Sequence, residues 1–161
     1  FVTSIDMGQV FFLGTMAELG GSLFIERRNR SQVDRDINSI AQWLKAGFNV
    51  VLYPEGTSGN GDTVLPFKKS LLMAAQVAGV DILPISIRYT HINGEPFSEA
   101  NRDKVCWYGD MTFAPHFYEA VNQKSVNVRI DFLEPIEVNA ESTRDELAEK
   151  SFQAIQNSYL K

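Results

Sequence analysis

The sequence predicts an α/β fold with a largely parallel central sheet flanked by helices. Short apolar runs rich in β-branched residues, such as 50–53 and 81–89, are typical of buried strands. These runs alternate with stretches such as 31–46, in which apolar residues recur at helical spacing. Strands that alternate with helices favour parallel pairing. The length of 161 residues and the hydrophobic content of 44% are sufficient for one domain with its own core.

A helix at 31–46 is the clearest element of the sequence. Ser31 and Asp34 resemble a capping box at its start, and Gly47 supplies a stop at its end. Its apolar residues fall on one face of the helix. They are Val33, Ile37, Ile40, Ala41 and Leu44. The helix therefore connects a strand at 23–26 to the strand that follows as a βαβ crossover.

The remaining elements follow from shorter patterns. A strand at 1–5 precedes an apolar helix at 9–19, which Gly20 and Gly21 end. The apolar patch within 10–16 either packs in the core or contacts an acyl chain or bilayer, and the sequence leaves both open. The other expected elements are strands at 81–89 with Pro84 inside, 104–107 and 126–133, and helices at 67–78, 114–121 and 143–160, the last begun by Ser142 with Asp145 or Thr143 with Glu146.

Composition excludes several classes of protein. The formal net charge of −5 argues against a nucleic-acid binder, which needs a basic face. The single cysteine, Cys106, excludes an internal disulfide and a Cys-rich metal site, and we expect it to be a small buried hydrophobe. No run approaches the roughly 18 apolar residues of a membrane-spanning helix. Any contact of these residues with a membrane is therefore expected at its surface.

The loop after the strand at 50–53 is the candidate functional site. Pro54 cannot donate to a strand ladder, so the strand stops there and delivers Glu55, Gly56 and Thr57 to the sheet edge. In open α/β sheets, ligands bind beyond the carboxyl ends of the strands. A carboxylate directly after a buried strand is costly unless it is paired. Glu55 is therefore expected to have a partner or a ligand.

The same loop resembles a nucleotide-binding P-loop only in part. Gly56 and Gly61 have the spacing of P-loop glycines, but Asp62 and Thr63 follow where Lys and Ser or Thr are required. The sequence therefore does not predict a nucleoside triphosphatase. Residues 58–62 are typical of a flexible turn.

Three motifs in order resemble those of the glycerolipid acyltransferase family, whose members include enzymes similar to 1-acylglycerol-3-phosphate acyltransferase. The Pro-Glu-Gly-Thr of 54–57, followed by Leu-Pro-Phe-Lys at 65–68, resembles the third family motif. The Gly-Ser-Leu-Phe-Ile-Glu-Arg of 21–27 resembles the second, and the Pro-containing apolar strand at 82–87 resembles the fourth. The resemblance covers most of the chain.

The resemblance implies a fold and an activity. The expected fold is a single three-layer domain similar to that of glycerol-3-phosphate acyltransferase. The implied reaction moves a fatty acyl group from acyl-CoA or acyl carrier protein to the hydroxyl of a lysophosphatidate-like acceptor. It needs no cofactor and no metal. The implied partners are a lysophospholipid acceptor, the acyl donor and a membrane surface, which places the protein at the cytoplasmic face of a membrane.

The resemblance also implies which residues hold the acceptor. Arg27 occupies the family position that contacts the acceptor phosphate, and the planar fork of arginine suits phosphate oxygens. Arg28 and Arg30 are expected to be solvated. Ser58 stands where many family members have Arg, which weakens the phosphate site, and Lys68 or Lys69 is a candidate to compensate. The expected substrate-binding residues are Arg27, Glu55, Gly56, Thr57, Ser58 and Lys68.

The first family motif, His-x-x-x-x-Asp, is absent from these 161 residues. Pro96 follows five positions after His91, and Val121 follows five positions after His116. We therefore expect no catalytic residue in this chain, with the catalytic His and Asp upstream, so that 1–161 is an acyltransferase domain without its N-terminal catalytic segment and is inactive alone. The alternative is a noncatalytic domain that binds a lipid headgroup or a partner and keeps the acyltransferase fold.

Overall fold

The computed structural model describes residues 1–8, 11–25 and 30–160, without the side chains of residues 6, 7, 11, 12 and 30. The chain divides into two compact units. The first comprises Phe1–Pro54, Lys68–Ile82 and Glu137–Ala148, and the second Glu55–Phe67, Leu83–Ile136 and Glu149–Lys161. The elements are β1 (Val2–Ser4), α1 (Ile5–Gly8), α2 (Phe11–Leu19), β2 (Leu23–Ile25), α3 (Val33–Lys45), α4 (Met73–Ala78), β3 (Ile85–Ile92), β4 (Glu95–Pro96), α5 (Phe113–Val121), β5 (Val126–Phe132) and α6 (Arg144–Tyr159), with 3-10 turns at Arg30–Gln32, Ser70–Leu72 and Arg102–Lys104.

The first unit is built on a parallel strand pair. β1 pairs with β2, with Val2 opposite Leu23 and Ser4 opposite Ile25. The buried core residues are Val2, Ile25, Ile40 and Ala74, and the half-buried residues that pack against them are Leu23, Ile37, Leu44, Val50, Leu52 and Leu71. The predicted apolar face of α3 therefore faces this core. The α/β class and the parallel pairing are confirmed in this unit.

The two ends of α3 show which local signals hold. Gly47 has φ +88°, and the amide of Phe48 donates to the carbonyl of Trp43, so the predicted glycine stop is confirmed. The predicted capping box is wrong, because the N-cap residue is Gln32 and its side chain makes no capping hydrogen bond. A preceding 3-10 turn at Arg30–Gln32 moves the start of the helix past Ser31.

The predicted strand at 50–53 is only partly realised. The structure assigns no strand to these described residues, although the amide of Val2 donates to the carbonyl of Val51 at 3.0 Å. Leu52 packs against the core, whereas Val51 and Tyr53 are exposed. The side chains therefore alternate between the core and solvent as they do in a strand. The hydrogen-bond ladder with β1 is too short for these residues to be a strand.

The exposure of α2 does not decide between the two interpretations of its apolar patch, which are core packing and contact with an acyl chain or bilayer. Leu13 is half-buried, whereas Met16 and Leu19 are exposed. Val10 lies outside the described residues, as do the side chains of Phe11 and Phe12. Among the residues that the structure describes, no helix has both the length and the apolar character needed to cross a membrane.

The second unit has an antiparallel sheet. Its strand order is β4-β3-β5, and β3 pairs with β5 from Ile85 opposite Phe132 to Ile92 opposite Val126. The largely parallel pairing expected from the sequence therefore does not extend to this unit. Pro84 lies just before β3, where its missing amide costs no ladder bond, and its carbonyl accepts from the amide of Leu133.

The strand predicted at 104–107 is wrong. A 3-10 turn occupies Arg102–Lys104 instead. The buried side chain of Asn101 explains the turn, because it accepts from the amide of Ser98 and donates to the carbonyl of Pro96. Such local bonds from a side chain to the backbone compete with strand formation.

The last three predicted elements are close to the observed ones. α5 and β5 begin and end within one residue of their expected bounds. The side chain of Thr143 accepts from the amide of Glu146 at 3.2 Å, which selects Thr143 over Ser142 as the cap of α6. The predicted helix at 67–78 begins later than expected, with a 3-10 turn and then α4, and it ends at Gly79 as expected.

The β3–β5 sheet has one apolar and one polar face. Ile87 lies opposite Ile130 on the apolar face, and the side chains of both are about half exposed. Ser86 and Arg88 lie on the other face, where Arg88 donates to the carbonyl of Tyr159 in α6. The polar face is therefore the one that the end of α6 contacts.

Ile40→Ala is expected to destabilise the first unit by about 2–5 kcal/mol, because Ile40 is only 3% exposed and its removal leaves a cavity. Urea unfolding can be followed by Trp43 fluorescence in a Trp107→Phe background, which leaves one reporter, in the first unit. Leu19→Ala is the control, since Leu19 is 84% exposed and its change should cost less than about 0.5 kcal/mol. Equal effects of the two substitutions would contradict the assigned core.

Candidate functional site

The candidate loop, residues 55–67, folds back on itself through Glu55. Its carboxylate oxygen Oε2 accepts a hydrogen bond from the amide of Leu65 at 2.7 Å. The other carboxylate oxygen makes no hydrogen bond with the described residues. The partner expected for Glu55 is therefore a backbone amide of its own loop.

The environment of Glu55 changes its acidity. Burial raises the pKa of the Glu55 carboxyl above its ordinary value of 4.5, and the hydrogen bond from Leu65 opposes that rise. Burial is the larger of the two effects. The loop therefore holds a carboxylate that is less well solvated than a surface glutamate.

Two glycines determine the backbone conformation of the loop. Gly56 has φ +66° and Gly61 has φ +82°, and L side chains rarely adopt this left-handed region. A Cβ on Gly61 would also lie 2.8 Å from the ring of Phe97 and 3.0 Å from Sγ of Cys106. The spacing that resembles a P-loop thus serves backbone conformation and close packing.

The structure places the predicted site residues in different parts of the chain. Glu55, Gly56, Thr57 and Ser58 are consecutive in the second unit, and the side chains of Thr57 and Ser58 are exposed. Lys68 is exposed and belongs to the first unit, where its amide donates to the carbonyl of Pro54 at 2.7 Å. Arg27, like Arg28, lies outside the described residues, so its role stays a prediction.

The two lysines expected to compensate for the Arg that Ser58 replaces differ in their contacts. The ammonium of Lys69 contacts the carboxylate of Asp145 at 2.6 Å, and this contact lowers the pKa of Asp145. Lys69 therefore already has an anionic partner. The structure shows no ion pair of Lys68 with the described residues.

Three contacts of the loop were not predicted from the sequence. The hydroxyl of Tyr159 donates to the carbonyl of Gly61 at 2.5 Å, and Arg102 forms an ion pair with Asp62. Asn60 and Asp62 also bond to each other at 2.7 Å. The Asn-x-Asp turn has a local sequence signal, whereas Tyr159 and Arg102 lie far from the loop in sequence and carry none.

Cys106 packs beneath this part of the loop as a buried thiol. Burial raises the pKa of Cys106 to about 11, so it is protonated at neutral pH. The expectation of a small buried hydrophobe is confirmed. Burial also raises the pKa of Tyr159, and the nearby Cys106 and Glu55 add to the rise.

Among the contacts of the described residues, neither histidine is paired with a carboxylate, as a catalytic base oriented by an acid would be. His91 is exposed within β3, opposite Asn127, and not in the loop after the strand as expected. His116 is half-buried in α5. Among the described residues, no three His, Cys, Asp or Glu side chains are grouped so that they could hold a metal ion.

The first 88 residues decide the family. The sequence model of the family described as Acyltransferase matches residues 1–88, which is more than half of the chain and includes the Glu-Gly-Thr loop. The chain belongs to the acyltransferase family. The recognition made from the three sequence motifs is therefore confirmed.

Curated relatives of this acyltransferase chain include two kinds of enzyme. A lyso-ornithine lipid O-acyltransferase of Brucella abortus is 36% identical over 155 residues, which are 92% of this chain and 58% of the relative. The protein of the same name from Rhizobium meliloti is 32% identical, covering 92% and 53%. A 1-acyl-sn-glycerol-3-phosphate acyltransferase of Neisseria meningitidis is 28% identical, covering 75% and 45%. The chain thus spans about half the length of these relatives.

A solved structure confirms the fold of the acyltransferase chain. The crystal structure of the 1-acyl-sn-glycerophosphate (LPA) acyltransferase PlsC from Thermotoga maritima matches with a TM-score of 0.59. The match covers 99% of this chain and 55% of that one, at 20% sequence identity. At this identity the likeness concerns the fold alone, and it supports the predicted acyltransferase-like α/β architecture.

The pKa of Glu55 predicts a pH-dependent effect of Glu55→Gln. Because the folded-state pKa is raised, the charged form destabilises the fold, and this cost grows as pH rises from below 4.5 through the folded pKa. The Gln variant keeps an acceptor for Leu65 without the charge. It should therefore gain stability relative to wild type at pH 7, and the difference should shrink toward pH 4.

Urea unfolding between pH 4 and 8 measures this difference, with Trp107 in a Trp43→Phe background as the reporter for the second unit. Glu134→Gln serves as the control, because Glu134 is an exposed carboxyl in the same unit. A stability advantage of Glu55→Gln that grew as the pH fell would contradict the environment assigned to Glu55.

Proposed function

We propose that this chain works as part of a longer acyltransferase, which moves a fatty acyl group from acyl-CoA or acyl carrier protein to the hydroxyl of a lysolipid. The observation that carries the proposal is the family match across residues 1–88, which contains a Glu-Gly-Thr loop with Glu55 held by the amide of Leu65. The relatives that act on lysophosphatidate or lyso-ornithine lipid by name support a lysolipid acceptor.

The proposed reaction is a transfer from a thioester to an ester. A histidine base takes the proton from the acceptor hydroxyl while the hydroxyl oxygen attacks the thioester carbonyl. The carbon–sulfur bond then breaks, and the leaving thiolate takes up the proton, so that an ester and a free thiol form. Neither His91 nor His116 has an Asp five positions later, so we place this His and its Asp in a segment upstream of Phe1.

The described loop supplies positioning in this scheme. In this scheme the Glu55 carboxylate oxygen that makes no hydrogen bond with the described residues accepts from a hydroxyl of the acceptor, and Gly56, Thr57 and Ser58 follow it directly in the chain. Arg27 and Lys68 are proposed as the cations for an anionic headgroup. Holding the hydroxyl at a fixed distance from the base lowers the barrier by reducing the entropy lost in the transition state.

Ser58 bears on the identity of the acceptor. Arginine at this position, as in many members of the family, adds a bidentate donor for phosphate, and serine removes it. An acceptor built on ornithine does not require that donor. Ser58 and the identity to two lyso-ornithine lipid O-acyltransferases together favour an amino-acid-derived lysolipid over lysophosphatidate. We place the longer protein at the cytoplasmic face of a membrane, where lysolipid and acyl donor meet.

The 161-residue chain alone is expected to transfer no acyl groups, because positioning does not replace a general base. Peptide mapping of the native protein should find a His-x-x-x-x-Asp motif upstream of Phe1. Replacing that His by Ala should lower acyl transfer about 10²–10⁴-fold. His91→Ala and His116→Ala in the same protein are matched controls and should retain activity.

Turnover by the isolated chain would sink the upstream-base proposal. A native sequence without the motif would favour instead a noncatalytic domain that binds a lipid headgroup or a partner. The observation that supports this second candidate function is the lack of the His-x-x-x-x-Asp motif in these 161 residues.

Ser58→Arg is expected to shift the acceptor preference of the longer protein toward lysophosphatidate, relative to lyso-ornithine lipid, by about tenfold. One charge-assisted hydrogen bond, worth about 1.5 kcal/mol, accounts for this factor. The ratio of kcat/KM values for the two acceptors is the measurement. Thr63→Arg is the control, because Thr63 is exposed in the same loop but outside the motif. An unchanged ratio for Ser58→Arg would remove Ser58 from the headgroup site.

A further inference from the structure

The far end of the Glu-Gly-Thr loop, at Gly61 and Asp62, is held from distant parts of the second unit. The hydroxyl of Tyr159, near the end of α6, donates to the carbonyl of Gly61 at 2.5 Å. Arg102 pairs with the carboxylate of Asp62, and Asn60 bonds to the same carboxylate. Two neighbouring loop residues thus receive separate long-range contacts.

The backbone at Gly61 has little room to move. A Cβ at this position would approach both Phe97 and Cys106 within 3.0 Å, so the loop packs closely on them. The ring of Phe97 is in turn stacked with Tyr89 of β3, with centroids 5.8 Å apart. The hydrogen bond from Tyr159 therefore acts on a segment that already has a packed support.

Tyr159 is itself held by the sheet. Its carbonyl accepts from Arg88 of β3 at 3.1 Å, and its neighbour Ser158 bonds to Asp131 of β5 at 3.2 Å. Earlier in α6, Phe152 packs edge-on against Phe67, the last residue of the loop, with centroids 5.4 Å apart. The same helix thus contacts the loop at Gly61 and at Phe67.

We infer that Tyr159 is a positioning residue for the acceptor site: its hydroxyl fixes Gly61 and thereby holds Glu55 to Ser58 in place for the lysolipid. The inference rests on the proposed function for the identity of the ligand, but the hydrogen bonds that carry it do not. Four residues after Gly61, the amide of Leu65 bonds back to the carboxylate of Glu55 and closes the loop. A displacement of the backbone at Gly61 therefore also displaces Glu55, because both residues belong to the segment that this hydrogen bond closes.

The test compares Tyr159→Phe with Tyr89→Phe in the 161-residue chain. Both changes remove one hydroxyl from a half-buried tyrosine of the same unit, but the Tyr89 hydroxyl has no hydrogen-bond partner among the described residues. Amide hydrogen exchange at Leu65 is measured relative to the amides of the β3–β5 ladder. Tyr159→Phe should accelerate exchange at Leu65 about three- to tenfold, as loss of one hydrogen bond implies, and Tyr89→Phe should not.

Titration of the Glu55 carboxyl by NMR gives a readout that a purely structural role of Tyr159 in α6 would not move. In Tyr159→Phe the pKa of Glu55 should fall toward 4.5, because a looser loop admits water to the carboxylate. Asp62→Asn is the second variant, since it loosens the same end of the loop without touching α6, and it should shift the pKa in the same direction.

Unchanged Leu65 exchange and an unchanged Glu55 pKa in Tyr159→Phe would overturn the inference, whatever the ladder amides show. In the longer protein, Tyr159→Phe should raise the KM for the lysolipid about three- to tenfold with kcat within about twofold. If that protein transferred no acyl groups, the proposed function would fail, while the exchange and titration results would still decide the role of Tyr159.

Discussion

The hydrogen bond from the amide of Leu65 to the carboxylate of Glu55 is the interaction on which the candidate site depends. A half-buried carboxylate without a partner would be costly, and a backbone amide ten positions later supplies that partner at 2.7 Å. The same bond closes a short loop, so that Gly56, Thr57 and Ser58 lie inside it. The conformation of the three motif residues therefore depends on this contact.

The site also shows how a motif differs from its supports. The residues of the motif are contiguous; Glu55 is half-buried, and the side chains of Thr57 and Ser58 are exposed. The loop is supported from three separate parts of the second unit: Arg102 begins a 3-10 turn, Phe97 follows β4, and Tyr159 belongs to α6. Preorganisation of this kind is a general requirement of sites that must hold a ligand within a fraction of an ångström.

Local signals in the sequence predicted much of the fold. Helical spacing and a following glycine located α3 and the end of α4, and alternation located β5. Features that depend on partners distant in sequence were missed or wrong. The antiparallel pairing of β3 with β5 depends on which strands become neighbours in space, and composition does not record this. The buried Asn101 forms local hydrogen bonds that produce a 3-10 turn where a strand was expected. The motif located Glu55. No spacing rule predicts the hydrogen bond between Glu55 and Leu65, or the one between Gly61 and Tyr159.

The buried thiol of Cys106 has a practical consequence for spectroscopy. The chain has one cysteine, and its pKa of about 11 leaves roughly one thiol in ten thousand ionised at pH 7. Maleimides and similar reagents attack the thiolate and need access, so they should leave Cys106 unmodified. A cysteine introduced at an exposed loop position would then be the one reactive thiol of the 161-residue chain. The 161-residue chain is thus already a suitable background for attaching one fluorophore or spin label beside the Glu-Gly-Thr motif.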